Sequence, residues 1–274
     1  MDESDFVGLD KSTRGLKPLH VGIWNSVIFV NLAEVPRETL SDFMAPLDDR
    51  LGTVNIGAMH CAGTYSADVE ANWKTVQDAF IEGYHVRTVH ARSLPQLRKN
   101  WIPREIATLG RHTTMAAYQI LGEGAKPTEA FIWGAASGFM KTDNKTQLPS
   151  GLNPQRRTNW VFDQFSIFPN QLFMVGTGWM THHEFWPVTV DRSIWSASYY
   201  VLPTDSPLQE IANEFYKVRV RDTVLEDLHC IEAVHASHRS GVMTDMVISG
   251  QEAQILLHRD TLQSYIDLAE ANAV

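Results

Sequence analysis

Hydrophobic and polar positions alternate and then run apolar through residues 16–33, "LKPLHVGIWNSVIFVNLA". That pattern predicts two strands with Asn25-Ser26 at the turn between them. Pro36 opens a short helix over 36–49. A strand is expected across 57–70, and Asn72 is placed to cap a helix after it. Trp73, Val76, Phe80 and Tyr84 recur at helical spacing, so the stretch behind Asn72 reads as helix. Two polar loops follow, 122–129 and 141–158, the second of a length typical of lids or disordered segments. Strand-like runs then cover 160–168, 172–177, 180–190 and 193–202, the last two parted by Asp191-Arg192 as in a hairpin. After them the period changes. Ser206 caps, Pro207 takes the first helical position, Gln209 completes a capping box, and the helix runs to about Arg239 before Gly241 ends it. A block of strands followed by a long helix predicts an α+β fold, a curled antiparallel sheet packed on a long C-terminal helix.

Composition narrows the function classes. At 274 residues the chain can bury a sizeable core. Its net charge of −9, from 23 basic and 32 acidic residues, argues against nucleic acid and against anionic membrane surfaces as partners. No apolar run is long enough to span a membrane, and the acidic start "MDESDFVGLDKS" is unlike a secretory signal. Cys61 and Cys230 are the only cysteines, which excludes a disulfide framework and fits a cytoplasmic setting.

The candidate chemistry lies in "NWKTVQDAFIEGYHVRTVHA", residues 72–91, where Glu82 precedes His85 by three and His90 follows it by five. Five residues turn a regular helix through roughly 140°, so the two imidazoles do not share a face as zinc-protease histidines do. They converge on a metal only if the helix loosens before His90. A third ligand for iron with open positions should be a carboxylate. Asp227 is the candidate, lying inside the apolar stripe Val220, Val224, Ile231 and Val234 of the C-terminal helix. A carboxylate facing a core is costly unless it is paired, by a metal or by a cation such as Arg219 or Arg221. Glu226 falls on another face, with Thr223 and Cys230, and reads as solvated. His182-His183 and the trio His229, His235 and His238 are competing histidine clusters.

Taken together, Asn72-Trp73-Lys74, Phe80, Glu82-Gly83-Tyr84-His85 and His90 resemble the catalytic-domain signature of the Rieske non-haem iron oxygenases. "VLEDLHCIEAVHASHRSG" is similar to that family's helix with an aspartate ligand, and "FSIFPNQLFMV" to its central strand. The resemblance covers most of residues 16–265. It implies a helix-grip (START-like) fold, with mononuclear Fe(II) held by His85, His90 and Asp227. Glu82 matches the acid that links this iron to the Rieske cluster of a neighbouring subunit, although most members carry Asp there.

A Rieske [2Fe-2S] cluster needs two cysteines and two histidines, and neither Cys61 nor Cys230 lies in a Cys-x-His or Cys-x-x-His pair. The cluster is therefore expected on a separate polypeptide, a Rieske ferredoxin or Rieske-bearing subunit with a reductase behind it. Residues 1–35 resemble the tail of a Rieske domain, and 36–274 the catalytic iron domain. The implied activity is that of a terminal oxygenase inserting oxygen from O2 into a hydrophobic, aromatic or polycyclic small molecule, by hydroxylation, dihydroxylation or oxidative demethylation. A homotrimer or hetero-oligomer is the implied assembly. The alternative is a non-catalytic helix-grip binding module or accessory subunit, since fold alone does not fix function.

Overall fold

The computed structural model describes residues 5–94, 105–118, 148–243 and 245–271. It divides into two compact units, Met1–Ala45 and Pro46–Val274. In the first, strands β1 (His20–Trp24) and β2 (Val27–Asn31) form an antiparallel hairpin. Asn25 and Ser26 adopt φ of 45° and 67°, the left-handed pair that a two-residue turn matched to strand twist requires. Helix α1 (Leu40–Met44) begins later than the expected 36–49 because Thr39, not Pro36, supplies the cap, accepting from the Asp42 N–H at 3.1 Å. Gly22 lets this helix approach the hairpin: a Cβ there would lie 2.6 Å from Leu40 Cδ2.

The second unit carries a seven-stranded antiparallel sheet. Its strands are β3 (His60–Val69), β4 (Glu105–Leu109), β5 (His112–Tyr118), β6 (Trp160–Ile167), β7 (Gln171–Gly176), β8 (Trp179–Thr189) and β9 (Arg192–Val201). They lie in the order β3-β9-β8-β7-β6-β5-β4, so the sheet is open, with β3 and β4 at its edges. The pair Thr189↔Arg192 closes the β8–β9 hairpin. Strand β9 buries every second residue, Ser193 through Val201, and its alternation was readable for that reason. Strands β4 and β5 had not been anticipated. Six of the seven residues of β5 are buried, so no alternation marks it. Its neighbour β6 explains why: one face looks to the helices, and on the other Arg50 lies over the Phe165 ring at 5.7 Å and pairs with Asp163 at 3.3 Å.

Three helices cover the inner face: α2 (Trp73–Ile81), α3 (Pro207–Arg239) and α4 (Ala253–Ala271). Val76, Phe80 and Ile81 of α2, Val224 and Ile231 of α3 and Ile255 of α4 form one core with Leu172, Phe185, Trp195 and Ala197 of the sheet. Asn72 caps α2 through the Lys74 N–H at 3.0 Å, and Ser206 caps α3 through the Gln209 N–H at 3.4 Å. Gly241, at φ 71°, lies just past the end of α3. Helix α4 had not been anticipated either. The buried stripe of α3 runs Val224, Asp227, Ile231, His235, and Val234 turns out to be exposed. Residues 122–129 and 141–147 of the two polar loops lie outside the described residues. Residues 148–158 are pinned to the fold: Arg50 Nε donates to the Gly151 carbonyl at 2.6 Å, and Gly151 N–H donates to Thr53 Oγ1 at 3.0 Å. Among the described residues no helix is long and apolar enough to cross a membrane.

Candidate metal centre

The helix that begins at Asn72 does not reach the first histidine. It stops at Ile81, and Glu82 is extended at φ −118°, ψ 177°. Tyr84, which the spacing assigned to the helix, therefore stands outside it and is exposed. Two 3-10 turns follow, His85–Arg87 and Val89–Ala91, with His90 out of helical conformation at φ −87°, ψ 28°. This break cancels the angular offset that a continuous helix would impose, and the two rings face each other. His85 Nε2 and His90 Nε2 are 3.1 Å apart, and Asp227 Oδ1 lies 3.2 Å from each. Asp227 pairs with these rings and not with Arg219 or Arg221; Arg221 bonds Asp222 instead.

Hydrogen bonds on the outer side define the ring states. His85 Nδ1 donates to Glu82 Oε1, while Glu82 Oε2 accepts the Tyr84 N–H. His90 Nδ1 donates to Glu226 Oε2 at 3.1 Å, and Ser93 contributes its N–H to Glu226 Oε1 at 3.2 Å and its Oγ to Oε2 at 2.5 Å. With the Nδ1 protons committed outward, both Nε2 lone pairs point inward, the arrangement that outer carboxylates impose on metal-binding imidazoles. Asp227 Oδ1 is buried and, despite its distance to both rings, has no well-directed hydrogen bond. Three acceptors aimed at one point repel unless a cation or proton lies between them. Their near-equilateral triangle, with sides of 3.1 and 3.2 Å, is of a size that metal–donor bonds of about 2.1 Å could span. Two imidazoles and one carboxylate grouped on one side of an ion form the donor set of mononuclear non-haem iron. Among the described residues this is the one group of three His, Cys, Asp or Glu side chains gathered closely enough to hold a metal, with ligand atoms within 4.8 Å of one another.

The electrostatics agree with that geometry. Burial opposes a charge on His85, but the Asp227 and Glu82 carboxylates beside it outweigh this and raise its pKa to about 9. Burial likewise pushes the Asp227 carboxyl up, yet the His85 and His90 rings 3.2 Å away hold it below its ordinary range. The competing clusters resolve differently. His182 stacks on Phe173 with ring centroids 4.2 Å apart. His183 lies in the core, where Trp195 Nε1 donates to its Nδ1 at 3.3 Å and Thr181 Oγ1 lies 3.1 Å from its Nε2. Burial and then the neighbouring His182 lower His183 to about 3, so it is neutral. His235 is tied to Asp191 of the β8–β9 turn at 3.0 Å.

Glu226 is the site residue that the sequence reading left in solvent. Its carboxylate forms part of the wall of an open groove of about 1050 Å³, which also takes in Val89, Arg92, Ser93 and Leu225 but none of the three central residues. The signal for it was chemical: a ligating imidazole needs an acceptor for its other nitrogen, and His90 has no acid three residues before it as His85 does.

The chain resembles known proteins. The chain is 26% identical over 187 residues to the large subunit of anthranilate 1,2-dioxygenase of Acinetobacter baylyi, a match covering 60% of this chain and 39% of that protein. It is 34% identical over 88 residues to the oxygenase subunit of glycine betaine monooxygenase of Chromohalobacter salexigens, covering 32% of this chain and 20% of that one. The chain thus spans well under half the length of these two relatives. A solved structure of a quaternary ammonium Rieske monooxygenase, concerned with carnitine oxidation by gut microbiota, shares the fold with a TM-score of 0.69 at 18% identity, over 96% of this chain and 66% of that one. Naphthalene 1,2-dioxygenase from Rhodococcus sp., bound to indole, does so with a TM-score of 0.64 at 16% identity, over 94% and 68%. The family profile described as ring hydroxylating alpha subunit (catalytic domain) matches residues 56–267, and the chain belongs to that family.

Proposed function

We propose that this chain is the catalytic part of a terminal oxygenase, with His85, His90 and Asp227 as the ligands of one Fe(II). The observation that carries the reading is the convergence of two Nε2 atoms and one carboxylate oxygen at 3.1–3.2 Å. When bound, the iron supplies the O2 chemistry. The chain's own residues do the rest. Glu82 and Glu226 orient the rings, and the core against α2 and α3 fixes the two ligand-bearing segments relative to each other. Three donors on one side leave the other side open to O2 and substrate. Electrons come singly from a Rieske centre served by a reductase, within a trimer or hetero-oligomer. Glu82 is the link to that centre. It is 8% exposed, and both oxygens already bond within the turn, so the link uses its remaining lone pairs or trades away the Tyr84 N–H. Residues 1–35 are proposed as the tail of a Rieske domain.

The substrate is a small organic molecule, aromatic in the reading that anthranilate and naphthalene dioxygenases support. The glycine betaine relative and the quaternary ammonium fold neighbour favour a second reading, a quaternary ammonium compound. Reconstitution with a Rieske protein and reductase under O2, scanning both substrate classes for oxygenated products, tests the proposal and chooses between them. Glu82→Gln keeps an acceptor for His85 and should retain iron, while partner-driven turnover falls. Stoichiometric iron absent from protein loaded anaerobically would refute the metal reading.

A further inference from the structure

The two ligand rings are braced in different ways. His85 takes its outer acceptor from its own turn, three residues back at Glu82. His90 takes both of its partners from a single helix, 136 residues further along the chain for the outer one. Asp227 Oδ1 lies 3.2 Å from Nε2 and Glu226 Oε2 lies 3.1 Å from Nδ1 of the same ring. Consecutive helical residues diverge by roughly 100°, so the imidazole sits in the notch between them, one nitrogen facing each carboxylate. His90 is buried at 3% exposure, and its Nδ1–H meets the Glu226 carboxylate.

From this notch we infer that Glu226 is a positioning residue for the metal: by holding the His90 Nδ1–H it directs the Nε2 lone pair at the ion and locks the ring against α3. The inference rests on the reading of His85, His90 and Asp227 as ligands. A rival role has to be separated from it. Glu226 also takes the Ser93 N–H and Oγ, and could serve only to tether the 89–93 turn to the helix. The two roles differ in which bond matters. Ser93→Ala removes the hydroxyl bond and leaves the His90 bond in place. Glu226→Gln keeps an oxygen acceptor facing His90, whereas Glu226→Leu removes it while preserving bulk.

The test is Co(II) affinity of the full chain, measured by chelator competition. It is combined with NMR of the exchangeable ring N–H protons in Co(II)-loaded protein labelled with ¹⁵N-histidine. Loss of an outer hydrogen-bond partner weakens metal binding about 10- to 100-fold, and Glu226→Leu is expected within that range. The slowly exchanging His90 Nδ1–H signal should vanish in it while the His85 signal persists. Glu226→Gln should lose less than about tenfold and keep the His90 signal at a changed shift, and Ser93→Ala should stay within about threefold. Melting curves of the metal-free variants identify any that fail to fold, and Glu226→Gln then carries the decision. Glu226→Leu binding as tightly as the parent with both signals intact overturns the inference. So does Glu226→Gln losing as much as Glu226→Leu, or Ser93→Ala matching Glu226→Leu. Parent protein that takes up no Co(II), or Asp227→Ala that takes it up unchanged, overturns the ligand reading itself and this inference with it.

Discussion

Removing the Phe80 ring should loosen the foundation of the turn that carries His85 and His90. Phe80 is 5% exposed on α2, two residues before Glu82. Its ring stacks on Trp195 with centroids 5.8 Å apart at 10°, and meets Phe185 at 5.5 Å and His183 at 5.4 Å. Phe→Ala in a core costs about 3–5 kcal/mol, rising with how poorly the site collapses. Collapse is limited here. Trp195 and His183 are bonded to each other, His183 is also tied to Thr181, and both rings stand on adjacent paired strands. Each aromatic contact adds about 0.5–1.5 kcal/mol beyond area burial, so Phe80→Ala belongs at the upper end, about 4–5 kcal/mol. For a chain of this size each kcal/mol moves the midpoint by about 2–4 °C, which gives a fall of roughly 10–15 °C. The assay is urea and thermal unfolding of metal-free protein by tryptophan fluorescence, with Phe80→Leu expected at about 1–2 kcal/mol. A loss under about 2 kcal/mol for Phe80→Ala would refute the packing of α2 on the sheet as argued here.

Asp227→Ala and His85→Ala should each reduce iron from stoichiometric to trace in protein loaded anaerobically; retained iron in either would remove that residue from the ligand set. Arg259→Met leaves Asp78, whose carboxyl burial already pushes upward, without its ion-pair partner. Because Arg259 is 38% exposed, the expected loss is about 1–3 kcal/mol, below that of a fully buried pair. Asp78→Asn in that background should restore most of it, and a double variant no better than the single one contradicts the pairing. His183 is held neutral, lowered from 6.5 to about 3. Between those values the unfolded chain binds a proton that the folded chain refuses. Stability from this group is therefore present above pH 6.5 and lost as pH falls toward 3, by up to about 1.4 kcal/mol per pH unit. His183→Gln should flatten the difference in acid stability by up to one proton; an unchanged slope would show that His183 titrates normally.

What could be read from the sequence was local. Asn72, Ser206, Pro207 and Gly241 mark helix ends by bonds and angles within a few residues of themselves, and the structure shows each in that role. Asn25-Ser26 likewise sets its own turn. The failures are long-range. Strand β5 is covered on both faces, so its pattern carries no period. Val234 was assigned to the buried stripe, but α3 packs through His235, whose partner Asp191 sits 44 residues away. Glu226 reads as solvated from the periodicity of α3 alone; the 89–93 turn bonds it through Ser93, 133 residues earlier in the chain. The awkward five-residue histidine interval was informative because it demanded a broken helix, and Glu82-Gly83 provides the break.

The placement of the site explains what it asks of an ion. Three carboxylates, Glu82, Glu226 and Asp227, surround the two imidazoles of His85 and His90, with His90 and Asp227 buried. That is a concentration of negative charge in a poor dielectric, where burial pushes the Asp227 carboxyl up and the His85 and His90 rings hold it down. Yet the core that fixes the geometry, Phe80 with Trp195 and Phe185, then Val224 and Ile231 on α3, uses none of the three central residues. A structural metal supplies folding energy because the chain lacks a core without it. Here the hydrophobic core forms without His85, His90 or Asp227, and the proposed ligands stand beside it on a turn and a helix that the core holds. An iron held by His85, His90 and Asp227, as proposed, would keep open positions, as a centre built for reaction requires and one built for folding does not.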